Sequence, residues 1–408
     1  MGAGEGWGED LIHARPRLGG GATGTGMMRR RELTDVAALT GDILWTGWRA
    51  RALSLMLRCF FMGRREQVAT LLARAGGPAT ILHVRARLRV PVLSILTYHH
   101  VCDPGRDYGF DPDTADVTPA QFRRQMELLR QHFTVIGVDQ LLAGFDGAEL
   151  PPNPCLITFD DGYKSNLTVA LPILRQLGLK ATFFIATSFV EERRIYWWDR
   201  IAWIVARARV RALELEYPRR RTILLDHRPT ARRALNGVVK DEPGLDVERF
   251  LTDLARAAKV EWSSAIERDL ADQLIMRWDE LRALRDAGMD IESHTRTHRV
   301  LQTLAPGALA DELAGSRDDL TRQLGRPVRV LAYPVGRAIA PFPHIRSAVT
   351  AAGYRLGMTN ASGVVPMWRH PDRLDVGRIA LDRDLSDEMF LGQLAIPQLG
   401  YRARHEAG

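Results

Sequence analysis

Two short apolar runs constrain this chain more than any other feature of it. Leu156-Ile-Thr-Phe leads straight into Asp160-Asp161-Gly162, and Ile291-Glu-Ser leads into His294-Thr-Arg-Thr-His298. A short apolar run that stops at polar, proton-binding residues reads as a buried strand delivering side chains to one end of a sheet. For those carboxylates and imidazoles to meet, both strands must end on the same side of the fold, and parallel strands joined by helices do that.

The sequence from Val90 onward has that rhythm. Apolar runs at 92–98, 134–138, 155–159, 181–186, 289–292, 328–333, 354–358 and 376–381 predict strands. Amphipathic stretches at 119–132, 166–177, 278–287, 306–324 and 344–352 predict helices between them. The expected class is α/β, a parallel sheet or barrel with its site at the C-terminal strand ends. One segment interrupts the alternation: 191–276 is mainly helical and Arg-rich, opens on Tyr196-Trp197-Trp198-Asp199, and reads as an insertion beside the site. The flanking stretches 89–190 and 277–395 then form the catalytic domain. Residues 1–30, Gly-rich and polar, predict a flexible leader, and 31–88 a helical N-terminal extension.

Composition excludes several classes. The net charge of +7 comes from Arg scattered through helical stretches, with no basic block interleaved with aromatics, so no nucleic-acid partner is expected. Cys59, Cys102 and Cys155 are odd in number, far apart and without a CxxC pair, which argues against a disulfide framework or a cysteine zinc site. No signal peptide is legible, and the apolar stretch 37–62 carries too many charges to span a bilayer. Its aromatic and aliphatic residues interspersed with Arg would suit a helix lying on a membrane, so peripheral membrane contact through the N-terminal region is one expectation. The compartment expected by default is cytoplasmic or membrane-peripheral.

Asp160 and Asp161 leave their strand on successive residues, so their side chains diverge and can serve a metal and a water separately. His294 and His298 are four residues apart and would share a face if the segment made a helical turn. No glutamate follows His294, which excludes the HExxH arrangement. Leu96-Thr-Tyr98-His99-His100 places another histidine at a strand end, in position to act as general acid. Val330-Leu-Ala-Tyr333-Pro334-Val-Gly336-Arg337 runs a strand into a turn whose backbone N–H groups can face a developing oxyanion.

In this order these motifs resemble the NodB-type polysaccharide deacetylases, the fourth carbohydrate esterase family, over about residues 90–384. The resemblance implies a distorted parallel (β/α) barrel and metal-dependent hydrolysis of N-acetyl groups on an N-acetylhexosamine-containing polysaccharide or glycan. It also implies that Asp160 is the general base and that Asp161, His294 and His298 hold one divalent ion. Zinc is the first choice, and Co, Ni, Fe or Mn suit the same ligands. Two departures stand out. Ala332 occupies the place of an arginine that orients the base, leaving Arg337 or Arg378 to substitute, and the usual C-terminal Leu-x-His is missing. The pattern resembles the branch acting on biofilm exopolysaccharides, in which a first-strand Tyr-His pair supplies the acid. Tyr98-His99 matches that pair, so His99 is preferred as the acid over His100 and His370. The turn at Tyr333 is expected to supply the oxyanion donor. Trp197 and Trp198 would either stack on sugar rings or pack in the core, and the insertion would govern substrate choice with little part in the chemistry. Two other readings compete with catalysis on a glycan: a catalytically impaired glycan-binding or assembly protein, and a hydrolase of a small non-glycan amide.

Overall fold

The computed structural model describes residues 77–105, 109–361, 363–381, 383 and 385–395. The expected leader and most of the N-terminal extension, with its membrane-facing stretch, lie outside the described residues. The tail of that extension is a helix at Gly77–Arg87. Among the described residues no helix is long and apolar enough to cross a membrane.

Eight short strands build the barrel: β1 (Val92–Tyr98), β2 (Pro154–Phe159), β3 (Thr182–Ile185), β4 (Asp290–Ser293), β5 (Val330–Ala332), β6 (Leu356–Thr359), β7 (Val376–Gly377) and β8 (Ile379–Ala380). Each of β1 through β6 pairs in parallel with the next in this order. The last strand is split: β7 pairs with β6, and after Arg378 the chain continues as β8 along β1. That switch of partner closes the circle. It needs a glycine at its start, because a Cβ on Gly377 would lie 2.6 Å from the Ala361 carbonyl oxygen.

Strands buried on both faces explain why the sequence reads as continuous apolar runs instead of alternating ones. Every residue of β1 and β2 is buried. Leu93, Ile95, Leu156, Phe184, Val330, Ala332, Leu356, Met358 and Val376 share one core cluster. On the other side of β1 and β2, Tyr98 and Phe159 pack with Phe122 of the helix Pro119–His132, ring centroids 5.2–5.7 Å apart. A fully buried side chain of this size contributes about 1.5–3 kcal/mol, so the barrel rests on these layers. Thr118 starts that helix with a reciprocal cap: its Oγ1 accepts from the Gln121 N–H while Gln121 Oε1 accepts from the Thr118 N–H.

The predicted helix at 306–324 forms, but with a wide π-helical turn at Asp311–Gly315 inside it. The insertion comprises the helices Trp197–Arg207, Arg228–Asp241, Val247–Ala257 and Ser264–Leu274 and a hairpin of Ala212–Leu215 with Arg221–Leu224.

Candidate metal centre and catalytic site

The chemistry-bearing residues gather at the C-terminal end of the barrel. Asp160 lies one residue beyond β2 on the face of Leu156 and Thr158, and its N–H donates to the Tyr98 carbonyl at 2.8 Å. The next two residues turn sharply, with φ of +71° at Asp161 and +68° at Gly162. Aspartate visits this left-handed region at lower cost than bulkier residues, and glycine at least cost. The two carboxylates therefore point to different places from adjacent positions.

His294 and His298 do meet, though not through a helical turn. Thr295 (φ +65°) and His298 (φ +51°) are both left-handed, and the resulting irregular turn sets the two rings at 75° with centroids 4.6 Å apart. Helical spacing anticipated the shared face but not the backbone that creates it.

His294 Nε2 and His298 Nε2 are 3.1 Å apart, and Asp161 Oδ1 lies 3.5 Å and 3.6 Å from them. Three donors at about 2.1 Å from a common tetrahedral centre would be about 3.4 Å from one another, so the spacing fits a metal of zinc size. The chemistry fits as well. His294 Nδ1–H donates to the Ala332 carbonyl at 2.8 Å, which leaves its Nε2 lone pair facing the centre. Burial brings His294 down to about 4 against the pull of Asp160, and burial and then His294 hold His298 well below its usual range, so both are neutral. Burial, reinforced by Asp160 and Asp116 and opposed by His99, pushes Asp161 up to about 7. Asp161 Oδ1 is buried without a hydrogen-bond partner. A proton shared between the histidines would leave that oxygen unsatisfied, whereas one cation satisfies all three atoms.

Asp160 stands beside this trio, its Oδ2 3.7 Å from His294 Nε2. Arg378, wholly buried at the strand switch, grips it through two parallel bonds of 2.8 Å. Arg378 also donates to Thr158 Oγ1 and the Thr359 carbonyl. Burial alone would raise the Asp160 pKa; the charge of Arg378, then of His294, and the hydrogen bonds of Arg378 outweigh it and hold the carboxyl below the ordinary range. Asp160 is thus an ionised carboxylate with a fixed orientation.

The other arginine considered for that role does not reach the site. Arg337 bonds the Asp241 carboxylate and the Lys240 carbonyl in the insertion, because the chain turns outward after Gly336. Within the turn expected to supply an oxyanion donor, Tyr333's own amide is already engaged. Its N–H donates to the Met358 carbonyl at 3.0 Å and its hydroxyl to the Leu374 carbonyl at 2.8 Å, so it is a wall residue whose own amide is consumed by the parallel ladder.

His99 sits at the mouth with its side chain 25% exposed. Its Nδ1 is 3.0 Å from Asp116 Oδ2, and its backbone N–H donates to the same oxygen. Burial lowers the His99 pKa, but Asp116 and then the Asp161 and Asp160 carboxylates raise it further, to about 10. His100 is buried, its ring 4.9 Å from that of Tyr163, and burial brings it down to about 4. His370 is exposed in a turn anchored by the Met367 N–H on Pro91, at the opposite, N-terminal end of β1.

Trp197 and Trp198 are core residues, 4% and 6% exposed. Trp198 packs against the His298 ring at 4.7 Å and stacks on Tyr196, whose hydroxyl donates to the Asp161 carbonyl. Trp198 Nε1 in turn donates to Tyr163, which donates to the buried Asp199 carboxylate. The insertion's first turn is therefore part of the wall behind two candidate ligands. Sequence reading missed the roles of Asp116 and of Glu312, a buried carboxylate in the π-helical turn. Neither carries a spacing or motif signal, and only its burial sets it apart.

Comparison with known proteins places this geometry in context. The sequence model of the polysaccharide deacetylase family matches residues 147–216 and 244–357. Over 214 residues the chain is 21% identical to the Bacillus subtilis protein named "Putative polysaccharide deacetylase YxkH", covering 52% of this chain and 47% of that one. The chain thus spans about half the length of the curated relative it matches. Solved structures that align with it include the Streptococcus pyogenes deacetylase PplD in complex with acetate (TM-score 0.49, 18% identity, 75% of this chain and 99% of that one) and IcaB from Ammonifex degensii (TM-score 0.45, 18% identity, 74% and 96%).

Proposed function

We propose that this chain, whose residues 147–216 and 244–357 match the polysaccharide deacetylase family model, hydrolyses N-acetyl groups on an N-acetylhexosamine-containing polysaccharide or shorter glycan, releasing acetate and a free amino sugar. The observation that carries this reading is the convergence of Asp161, His294 and His298 on one buried spot beside a carboxylate locked by Arg378.

Asp161, His294 and His298 would hold a divalent ion, which when bound would supply Lewis acidity for activating water and stabilising developing negative charge. Zinc is the first choice; imidazole and carboxylate ligands also suit Co, Ni, Fe and Mn. Asp160, kept ionised and oriented by Arg378, accepts the proton of the attacking water. His99 donates a proton to the departing nitrogen. Its Nδ1 is engaged by Asp116, so Nε2 is the atom left to deliver that proton.

The test is acetate release from N-acetylglucosamine oligomers of different linkage, with metal content measured on the same sample. About one divalent ion per chain is expected, with release abolished by chelation and restored by metal. Bound metal without acetate from any glycan would favour the impaired glycan-binding reading, and release from small amides alone the small-amide hydrolase.

His99 gives a sharper result. An amine leaves only when protonated, whereas a nitrophenolate needs no proton. His99→Ala should lose about 10²–10⁴-fold on an N-acetyl sugar and far less on an activated acetyl ester. His370→Ala should be unaffected on both, and a selective loss there would move the acid away from β1.

A further inference from the structure

The irregular turn between His294 and His298 poses a physical problem that the catalytic reading leaves open. Two of its residues are left-handed, and one of these, Thr295, is β-branched, a conformation such residues adopt only when their surroundings impose it. We infer that Glu312 is the positioning residue that imposes it, holding the His294–His298 turn in the conformation that presents both imidazoles to a metal. The inference deepens the metal-centre reading and rests on it.

Glu312 is 6% exposed, and its hydrogen bonds go to the backbone and hydroxyl between the two histidines. Its Oε2 accepts from the N–H groups of Arg296 at 2.9 Å and Thr297 at 2.8 Å, and its Oε1 accepts from the Thr297 hydroxyl. Three donors from two consecutive residues thus end on one carboxylate, and these residues lie directly between the two histidines. The opposite side of the turn is held by the helix Thr187–Glu191, where the N–H groups of Thr187 and Ser188 donate to the carbonyls of Thr295 and Arg296. Carbonyls are held from one side and amides from the other.

Glu312 is placed there by the π-helical turn Asp311–Gly315, a local widening that re-aims side chains. That widening is anchored in turn: the Leu313 carbonyl accepts from Ser316 Oγ and from the Tyr354 hydroxyl at 2.9 Å, and Ser316 Oγ is 2.7 Å from Ser293 Oγ beside His294. The Thr295 N–H donates to that same Ser293 Oγ. Partners that orient metal ligands from outside the coordination sphere change metal affinity by about 10–100-fold when removed.

The experiment uses the full chain stripped of metal and titrated with zinc against a chromophoric chelator, with cobalt(II) spectra as a second readout. Glu312→Ala should bind zinc about 10–100-fold more weakly and alter the cobalt bands. Glu312→Asp keeps the charge but withdraws it by one methylene; it should lose about 10-fold and serves as the test if the alanine variant does not fold. Wild-type affinity and cobalt spectrum in a folded variant, whatever its melting temperature, would make Glu312 a stabilising residue only and overturn the inference. A wild-type chain that takes up no zinc would instead overturn the metal centre, and this inference with it.

Discussion

Asp160→Asn should keep its metal and lose turnover by about 10²–10⁴-fold, the contribution of a positioned general base. The substitution removes a proton acceptor and spares Asp161, His294 and His298, whose converging atoms belong to other residues. Metal content and acetate release measured on one preparation separate the two functions. A folded variant that has lost its metal would reverse the division of labour between the adjacent aspartates. Asparagine still offers Arg378 one acceptor oxygen, so a smaller stability loss than that of the next variant is expected.

Arg378→Ala should be the most destabilising single change at the site. It strands the Asp160 carboxylate, which has 1% exposure and relies on Arg378 for both of its short hydrogen bonds. Removing one partner of a buried ion pair costs about 3–5 kcal/mol, whereas replacing both by apolar groups is often close to neutral. Urea unfolding of Arg378→Leu, Asp160→Leu and the double variant should therefore show strong non-additivity, the double variant losing less than the sum of the singles. Any Arg378→Ala that folds should also be slow, since burial without the countercharge drives Asp160 toward its protonated form. Stability within about 0.5 kcal/mol of wild type would mean that water or another side chain already screens Asp160, and the proposed orienting role would fall.

What could be read from sequence, and what could not, follows from the range of the interactions. Asp160, Asp161, His294 and His298 announce themselves because a strand end delivers them locally, and apolar runs mark the strand ends. Arg378 was visible only as an arginine on the final strand, one of two candidates, because its reach to Asp160 depends on how the barrel closes. Arg337 is nearer the expected motif turn, yet the backbone carries it out to Asp241. Tyr333 was assigned an oxyanion role on the basis of its turn, but its N–H belongs to the ladder with β6. Asp116 lies in the three-residue strand Ala115–Val117 and Glu312 in a helix with ordinary composition, so neither had a periodic or spacing signal. The aromatic run at 196–198 was conspicuous in sequence, yet only packing shows it turned inward against His298.

The split final strand has an implication for how activity is coupled to folding. Arg378 occupies the single residue between β7 and β8, the seam at which the first and last strands are joined. The proposed metal ligands, Asp161, His294 and His298, come from segments earlier in the chain. A molecule with an unjoined seam would have those ligands but no fixed partner for its base. Catalytic competence, unlike metal uptake, would then report that the last strand has docked, making the reaction a readout of a completed barrel.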